Sequence, residues 1–358
     1  MAGGSGTRFW PLSTRGRPKH LLALLGKRTL LEDTVARLRG LVPPSRTVVV
    51  TAREQAREVR RLLPSLPRRA VIAEPRPRNT AAAIAVAAAA IAARDPAAVL
   101  VVLSADHWIP DGAAFRRTLA AAAARAREAR TLVLVGVRPD RPATGYGYLR
   151  PGRARAREGG FAVRPVSCFT EKPDLPTARR WLAAGTHLWN AGLFAWRADV
   201  FLNEVRRHLP ALHRALASSG AGSGRPAALA RFYARAPSIS VDYGILEDSD
   251  RVECVEAAFR WDDLGSFAAL LRRLPKDARG NASRGGPLVA LDSRGLLSVA
   301  PPGHFTTVLG LRGIAVVTTP AATLVLPLDR CEEIREVVAA LPRPRSRGPA
   351  QPSDPQKR

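Results

Sequence analysis

The stretch that decides the fold is AAVLVVLSADH, residues 97–107. Its apolar residues run without alternation over strand length, the mark of a strand covered on both faces. It closes on Ser104-Ala105-Asp106-His107, which puts a carboxylate at the carboxyl end of a buried strand, where open α/β sheets hold ligands. Outward from it the same rhythm repeats. TLVLVGV (131–137) follows a helical stretch at about 113–129, and TVVVTA (47–52) and AVIAEP (70–75) are two further strands. Between them lie helices at TLLEDTVARLRGL (29–41, with Thr29 as cap) and REQAREVRRLLPSL (53–66). An alanine-rich helix follows Asn79–Thr80, which are its candidate caps. Alternating strands and helices predict an α/β domain with a mixed, mainly parallel sheet.

Beyond residue 138 the pattern loosens. ASSGAGSGRPA (217–227) reads as a flexible surface loop. Short strand-like runs after residue 280, closed by the helix CEEIREVVAAL (331–341), predict a small β-rich domain. The expected division is 1–275, then 280–341, then a disordered, proline-rich tail at 342–358. No internal repeat is visible.

At 358 residues, 46% hydrophobic and 24% charged, the chain is a folded protein of one large and one small domain. The longest uncharged apolar run, residues 81–93, is too short to span a bilayer, and no signal peptide is recognisable. Cys168, Cys254 and Cys331 are few, odd in number and far apart, which predicts reduced thiols in a cytoplasmic protein. The net charge of +26 suggests nucleic acid, but all except five of the 56 basic residues are arginines scattered among alanines. Such dispersion reads as compositional bias, and no specific nucleic-acid partner is expected.

Several motifs carry chemistry. Gly3, Gly4, Gly6, Thr7 and Arg8 form a glycine-rich loop followed by a cation, an arrangement suited to wrapping a polyphosphate, although a plain tight turn is equally compatible. It matches neither the Walker pattern nor the dinucleotide fingerprint. Lys19 follows Pro18 where this chain habitually uses arginine, which suggests a point charge on phosphate. Asp106 is either a helix cap or a ligand for a hard cation, with Asp262 or Asp263 of FRWDDLGS as its second carboxylate. ATGYGYL (143–149) sets glycines beside tyrosines, and FTEKPD (169–174) sets an acceptor, Glu171, beside a cation, Lys172. Asn190 interrupts an apolar run, as a structural turn or as a ligand.

Taken together and in order, AGGSGTRFWPLS…PKH, EPRPRNTAAAI, LSADH, TGYGYL, FTEKPD, WNAGLF, SISVDYGILE and FRWDDLGS resemble the mannose-1-phosphate guanylyltransferases, over residues 2–340. The resemblance is to the short form of this sugar-phosphate nucleotidyltransferase family, without an isomerase domain, and implies a Rossmann-like fold. It implies that Gly3, Gly4, Gly6, Thr7 and Arg8 hold the phosphates of GTP, while Lys19 neutralises the departing pyrophosphate. Glu74, Asn79 and Thr80 would read guanine. Asp106 and Asp263 would hold Mg2+, and Gly145, Tyr146, Gly147, Glu171, Lys172, Asn190 and Asp242 would line the pocket for mannose 1-phosphate. Arg8, Lys19, Asp106 and Asp263 are the expected catalytic set, and a homodimer the expected assembly. Alternatives are another sugar-1-phosphate nucleotidyltransferase, a non-catalytic sugar-nucleotide-binding homologue, and an RNA-binding protein.

The sequence departs from the family pattern mildly at His20-Leu21, Thr14 and WNAGLF, and more strongly at its opening. Family members lead into the glycine loop with an apolar central strand. The expectation is therefore that this first strand is missing, that the natural chain extends upstream, and that the loop is anchored on one side only.

Overall fold

The computed structural model describes residues 1–4, 6–14 and 16–342. Nine strands build the first part: β1 (Val49–Ala52), β2 (Val71–Glu74), β3 (Val99–Val102), β4 (Leu132–Val137), β5 (Tyr148–Pro151), β6 (Ala156–Glu158), β7 (Phe161–Thr170), β8 (Leu188–Arg197) and β9 (Val252–Glu256). β3 to β9 form one mixed sheet in the order β3-β8-β4-β9-β7-β5, with β6 beside β7 and the start of β8 also reaching β5. β4 and β9 are parallel, while β8 runs antiparallel to both β3 and β4. β1 and β2 form a separate parallel pair.

Met1 and Ala2 run between β1 and β3. The Ala2 amide donates to Val50 O (2.8 Å), and Met1 O accepts from the Ala105 amide (2.9 Å). Ala2 is buried and pairs with Thr51. The residues leading into the glycine loop are thus tied on both sides, to β1 and to the segment that follows β3, not on one.

Local chemistry explains the flanking elements. Thr29 caps α1 (Leu30–Arg37) in a full capping box with Glu32, an arrangement worth about 1 kcal/mol. α2 spans Ala56–Leu62. α3 (Asn79–Ala92) buries Ala81, Ala82, Ala85 and Ala88, and its small side chains let neighbours approach closely. One such neighbour is the 217–227 stretch. Instead of a free loop it is a packed turn, with Ala221 fully buried and Gly222 so close to Ala89 that a Cβ would meet its carbonyl at 3.2 Å. Asp111, not Asp106, caps α4 (Gly112–Ala129), accepting from the Ala114 amide at 2.9 Å.

The C-terminal strands are β10 (Ala282–Gly285), β11 (Leu288–Leu291), β12 (Leu297–Ala300), β13 (Thr306–Leu309), β14 (Ile314–Thr318) and β15 (Thr323–Pro327). β10, β12 and β14 stack in parallel, β11 and β13 pair in parallel, and β15 closes antiparallel on β14. Gly280, Gly295 and Gly313 turn successive corners at φ +77°, +63° and +62°, one above the next. This is a structural repeat that the sequence analysis missed, because little beyond the corner glycine recurs. Leu297, Ala315, Val317 and Ile334 share a core with Phe9, Leu22, Leu264 and Phe267, so these coils buttress the glycine loop. The expected tail beyond Pro342 lies outside the described residues.

Candidate active site

Phe9 anchors the glycine loop. It is fully buried and meets the Phe267 ring edge-on at 5.0 Å. The preceding Gly6 sits at φ +60°, and a Cβ there would come within 2.8 Å of the Lys19 amide. Glycine is required on both counts, and the contact fastens the loop to the Pro18-Lys19 segment. Gly3 and Gly4 are exposed, and Thr7 and Arg8 lie in a 3-10 turn. Ser5 lies outside the described residues.

Lys19 lies at the centre of the site. Its ammonium donates to Asp106 Oδ2 at 2.8 Å and to the main-chain oxygen of Asp263. Burial opposes ionisation of Asp106, but the charge of Lys19, with smaller help from His107, outweighs it and holds the carboxyl down at about 2. Asp106 is therefore an anion at any physiological pH.

The two neighbouring aspartates separate cleanly. Asp262 is fully buried and gripped by Arg273 (2.7 and 3.0 Å), with Arg272 at 3.6 Å and Arg141 at 3.9 Å. Asp263, half-buried, accepts from the Tyr146 hydroxyl (2.7 Å) and the Gly265 amide (2.9 Å) on the same Oδ1. Leu264, at φ +49°, turns the chain directly after the pair, and its amide donates to Asp262 Oδ1 at 2.8 Å. A Cβ on Gly265 would lie 2.7 Å from Asp263 Oδ2 and 3.3 Å from the Arg8 guanidinium. Arg8, Lys19, Asp106 and Asp263 thus converge. Arg8 also lies 3.4 Å from Glu332 of the C-terminal helical turn.

Tyr146, expected to face the sugar, is committed to Asp263. Burial, with the charges of Asp263 and Asp262, raises its phenol far above the usual range, so it stays a proton donor. Arg141 holds it from behind, donating to its oxygen at 2.8 Å and stacking over Trp189 at 4.8 Å. Sequence reading missed Arg141. It stands just outside the ATGYGYL stretch, among so many arginines that nothing distinguished it.

On one side lie the residues assigned to the base. Burial raises the Glu74 carboxyl, which is close enough to the glycine loop that a Cβ on Gly3 would lie 3.8 Å from its Oε2. Asn79, exposed and at φ +62°, accepts from the Thr80 amide at 2.8 Å. The Thr80 hydroxyl accepts from the Val241 amide at 2.9 Å, stitching this turn to the segment that carries Asp242.

On the other side is a polar pocket. Asn190 donates to Asp242 Oδ1 at 2.8 Å, and its own amide donates to Gly147 O at 2.8 Å. Gly147 leaves room for Glu171, since a Cβ would sit 2.5 Å from Oε2. Lys172 donates to Glu171 at 2.6 Å. Gly145 is exposed, with nothing within 4 Å of a built Cβ. Asp242 opens a five-residue π-helix, Asp242–Leu246. Burial and then the charge of Glu171 push its carboxyl up to about 6, against the pull of Asn190 and Lys172.

Among the described residues no group of three or more His, Cys, Asp or Glu side chains could hold a metal ion. The donor set still suits a hard cation. Two carboxylate-bearing residues flank a position already occupied by a positive charge, the Lys19 ammonium, and Mg2+ characteristically takes one or two carboxylates and leaves its other positions to phosphate and water. No helix of the described residues is long and apolar enough to cross a membrane.

A family model for nucleotidyl transferases matches residues 1–280. The chain is 35% identical to a mannose-1-phosphate guanylyltransferase of Escherichia coli, over 94% of this chain and 72% of the relative. It is 36% identical to the xanthan biosynthesis protein XanB of Xanthomonas campestris, over 95% and 72%. A crystal structure described as mannose-1-phosphate geranyltransferase, from Thermus thermophilus, superposes with a TM-score of 0.85 at 39% identity, over 95% of this chain and 97% of that one. The chain belongs to the nucleotidyl transferase family.

Proposed function

We propose that this chain transfers GMP from GTP to mannose 1-phosphate, giving GDP-mannose and pyrophosphate. The observation that carries the reading is the convergence of Arg8 and Lys19 with two separate aspartates, Asp106 and Asp263, beneath a glycine loop fixed against Lys19. In the reaction a phosphate oxygen of the sugar phosphate attacks the α-phosphorus in line, and the bond to the bridging oxygen of pyrophosphate breaks. The nucleophile is already an anion, so no general base is needed, and catalysis consists of positioning and charge neutralisation. The loop amides and Arg8 bind the triphosphate, Lys19 leaves Asp106 to meet the charge of the departing pyrophosphate, and Glu74 offers a carboxylate to the donor edge of guanine. Asn190, Glu171 and Asp242 offer acceptors to sugar hydroxyls. Mg2+, held by Asp106 and Asp263, would supply further neutralisation of the triphosphate.

Three unpaired cysteines support a reducing, cytoplasmic setting. A homodimer would meet on the β11–β13 face, where Phe305 (69% exposed) and Leu309 (67%) stand out beside Leu291. On a chain of net charge +26, an uncharged face is where a second copy escapes like-charge repulsion. Light scattering should then give twice the chain mass, reverting to a monomer in Phe305→Glu/Leu309→Glu. The activity is tested with a panel of nucleotides and sugar phosphates. GTP with mannose 1-phosphate should be turned over fastest, and faster turnover of dTTP with glucose 1-phosphate would replace this reading by another sugar-1-phosphate nucleotidyltransferase.

A further inference from the structure

A concavity of about 360 Å3 is lined by none of the residues placed in the candidate active site. It is formed where the ends of β4 and β9 meet β5, β7 and the turn leading into β8. Its walls are Arg138, Arg150, Pro151, Arg164, Glu256 and residues 185–188. Three arginines among nine lining residues exceed the chain-wide share of about one in seven. Their neutralisation is incomplete. Arg138 is paired with Glu256 (2.7 and 3.0 Å), Arg164 donates only to the main-chain oxygen of Gly152 (3.1 Å), and Arg150 has no side-chain partner among the described residues. The pocket therefore carries three guanidinium charges against one carboxylate. Its floor is rigid. The His187 ring is buried, stacks on Trp181 at 4.3 Å, and has its Nδ1 within 2.9 Å of the Thr186 hydroxyl. Burial, and then the charge of Arg150, lowers the His187 pKa, as expected for a site with unbalanced positive charge.

We propose that this pocket binds a phosphate group, either free or carried by a small phosphorylated metabolite. Arginine forks match phosphate oxygens in pairs, and a volume of this size is within the range of small-molecule sites. The position also gives such a ligand a route to the cleft. Leu188 lines the pocket and packs on Gly136, where a Cβ would lie 2.7 Å from its Cδ1, and Gly136 pairs across the ladder with Asn190.

Calorimetric titration of the full chain tests the proposal, with inorganic phosphate in one arm and ribose 5-phosphate in the other. Arg150→Glu, whose side chain holds no other part of the fold, is the informative variant, and Lys19→Ala is the control for binding in the cleft. Binding of either probe that weakens at least tenfold in Arg150→Glu and persists in Lys19→Ala supports the site. The arm with the tighter binding identifies its source. Binding lost only in Lys19→Ala, or no binding by 10 mM in either arm, overturns it. Soaking crystals with tungstate should place an anomalous peak among Arg138, Arg150 and Arg164, and a peak confined to the Lys19 region would count against the proposal.

Discussion

Removing one oxygen atom, in Tyr146→Phe, tests how the cation site is built. The phenol donates to Asp263 Oδ1 at 2.7 Å and accepts from Arg141 at 2.8 Å. The ring itself packs edge-on against Trp189 and Trp261, each at 5.0 Å, so phenylalanine keeps the packing and loses only the bridge. A hydrogen bond to a charged group contributes about 1.5–3 kcal/mol. The Gly265 amide remains on the same oxygen, so about 1–2 kcal/mol of orientation should be lost, roughly a 5- to 30-fold effect. That matches the roughly 10- to 100-fold losses of metal affinity typical when a ligand's supporting hydrogen bond is removed. The assay is Mn2+ binding followed by electron paramagnetic resonance, alongside the melting temperature. The expected result is a dissociation constant raised about tenfold with little change in melting. A Mn2+ affinity within twofold of the original protein would refute the claim that Tyr146 positions Asp263.

Asp262→Asn and Asp263→Asn should fail in opposite ways. Breaking the buried Asp262–Arg273 pair costs about 3–5 kcal/mol in denaturant titration, whereas Asp263→Asn should stay folded and lose cation-dependent turnover. Loss of turnover without loss of stability in Asp262→Asn would reverse the assignment. Gly6→Ala forces an L side chain into φ +60° and against the Lys19 amide. It should lower kcat/KM for nucleotide at least tenfold, and normal kinetics would show that the loop does not depend on this contact. Asp242 titrates near 6, above its ordinary 3.8. The folded protein therefore disfavours its ionised form, and stability present at pH 4 is lost as the pH rises to about 6. Asp242→Asn escapes this, so its advantage in stability should grow by roughly 2 kcal/mol between pH 4 and 7. An advantage that stays constant over that range would mean that burial and Glu171 do not raise Asp242 as described.

Of the first part, β1 to β4 were legible because they are continuous apolar runs, whereas β5 to β9 were not read as strands. β4, buried at all six positions, is the clearest case. The Thr29–Glu32 capping box was half visible, as a threonine before an apolar helix. What stayed hidden depends on contacts between distant segments. Asp262 and Asp263 are adjacent and chemically identical, and their distant partners distinguish them, Arg273 on Asp262 and Tyr146 on Asp263. Arg141 and Gly265 take their roles from Tyr146 and Asp263, which no local pattern announces. The 217–227 stretch has the composition of a free loop, yet its small residues are what allow it to nest on α3. The C-terminal coils repeat a backbone turn more than a side-chain pattern, so their period was invisible to a search for similar residues.

The central claim is that Arg8, Lys19, Asp106 and Asp263 serve nucleotidyl transfer between GTP and mannose 1-phosphate. Phosphorus NMR of the purified chain with both substrates and Mg2+ tests it most directly. The account predicts that pyrophosphate and the paired diphosphate resonances of GDP-mannose appear together in equal amounts, and that neither appears with Asp106→Asn. Release of orthophosphate or GMP, or formation of GDP-mannose undiminished in Asp106→Asn, would contradict it.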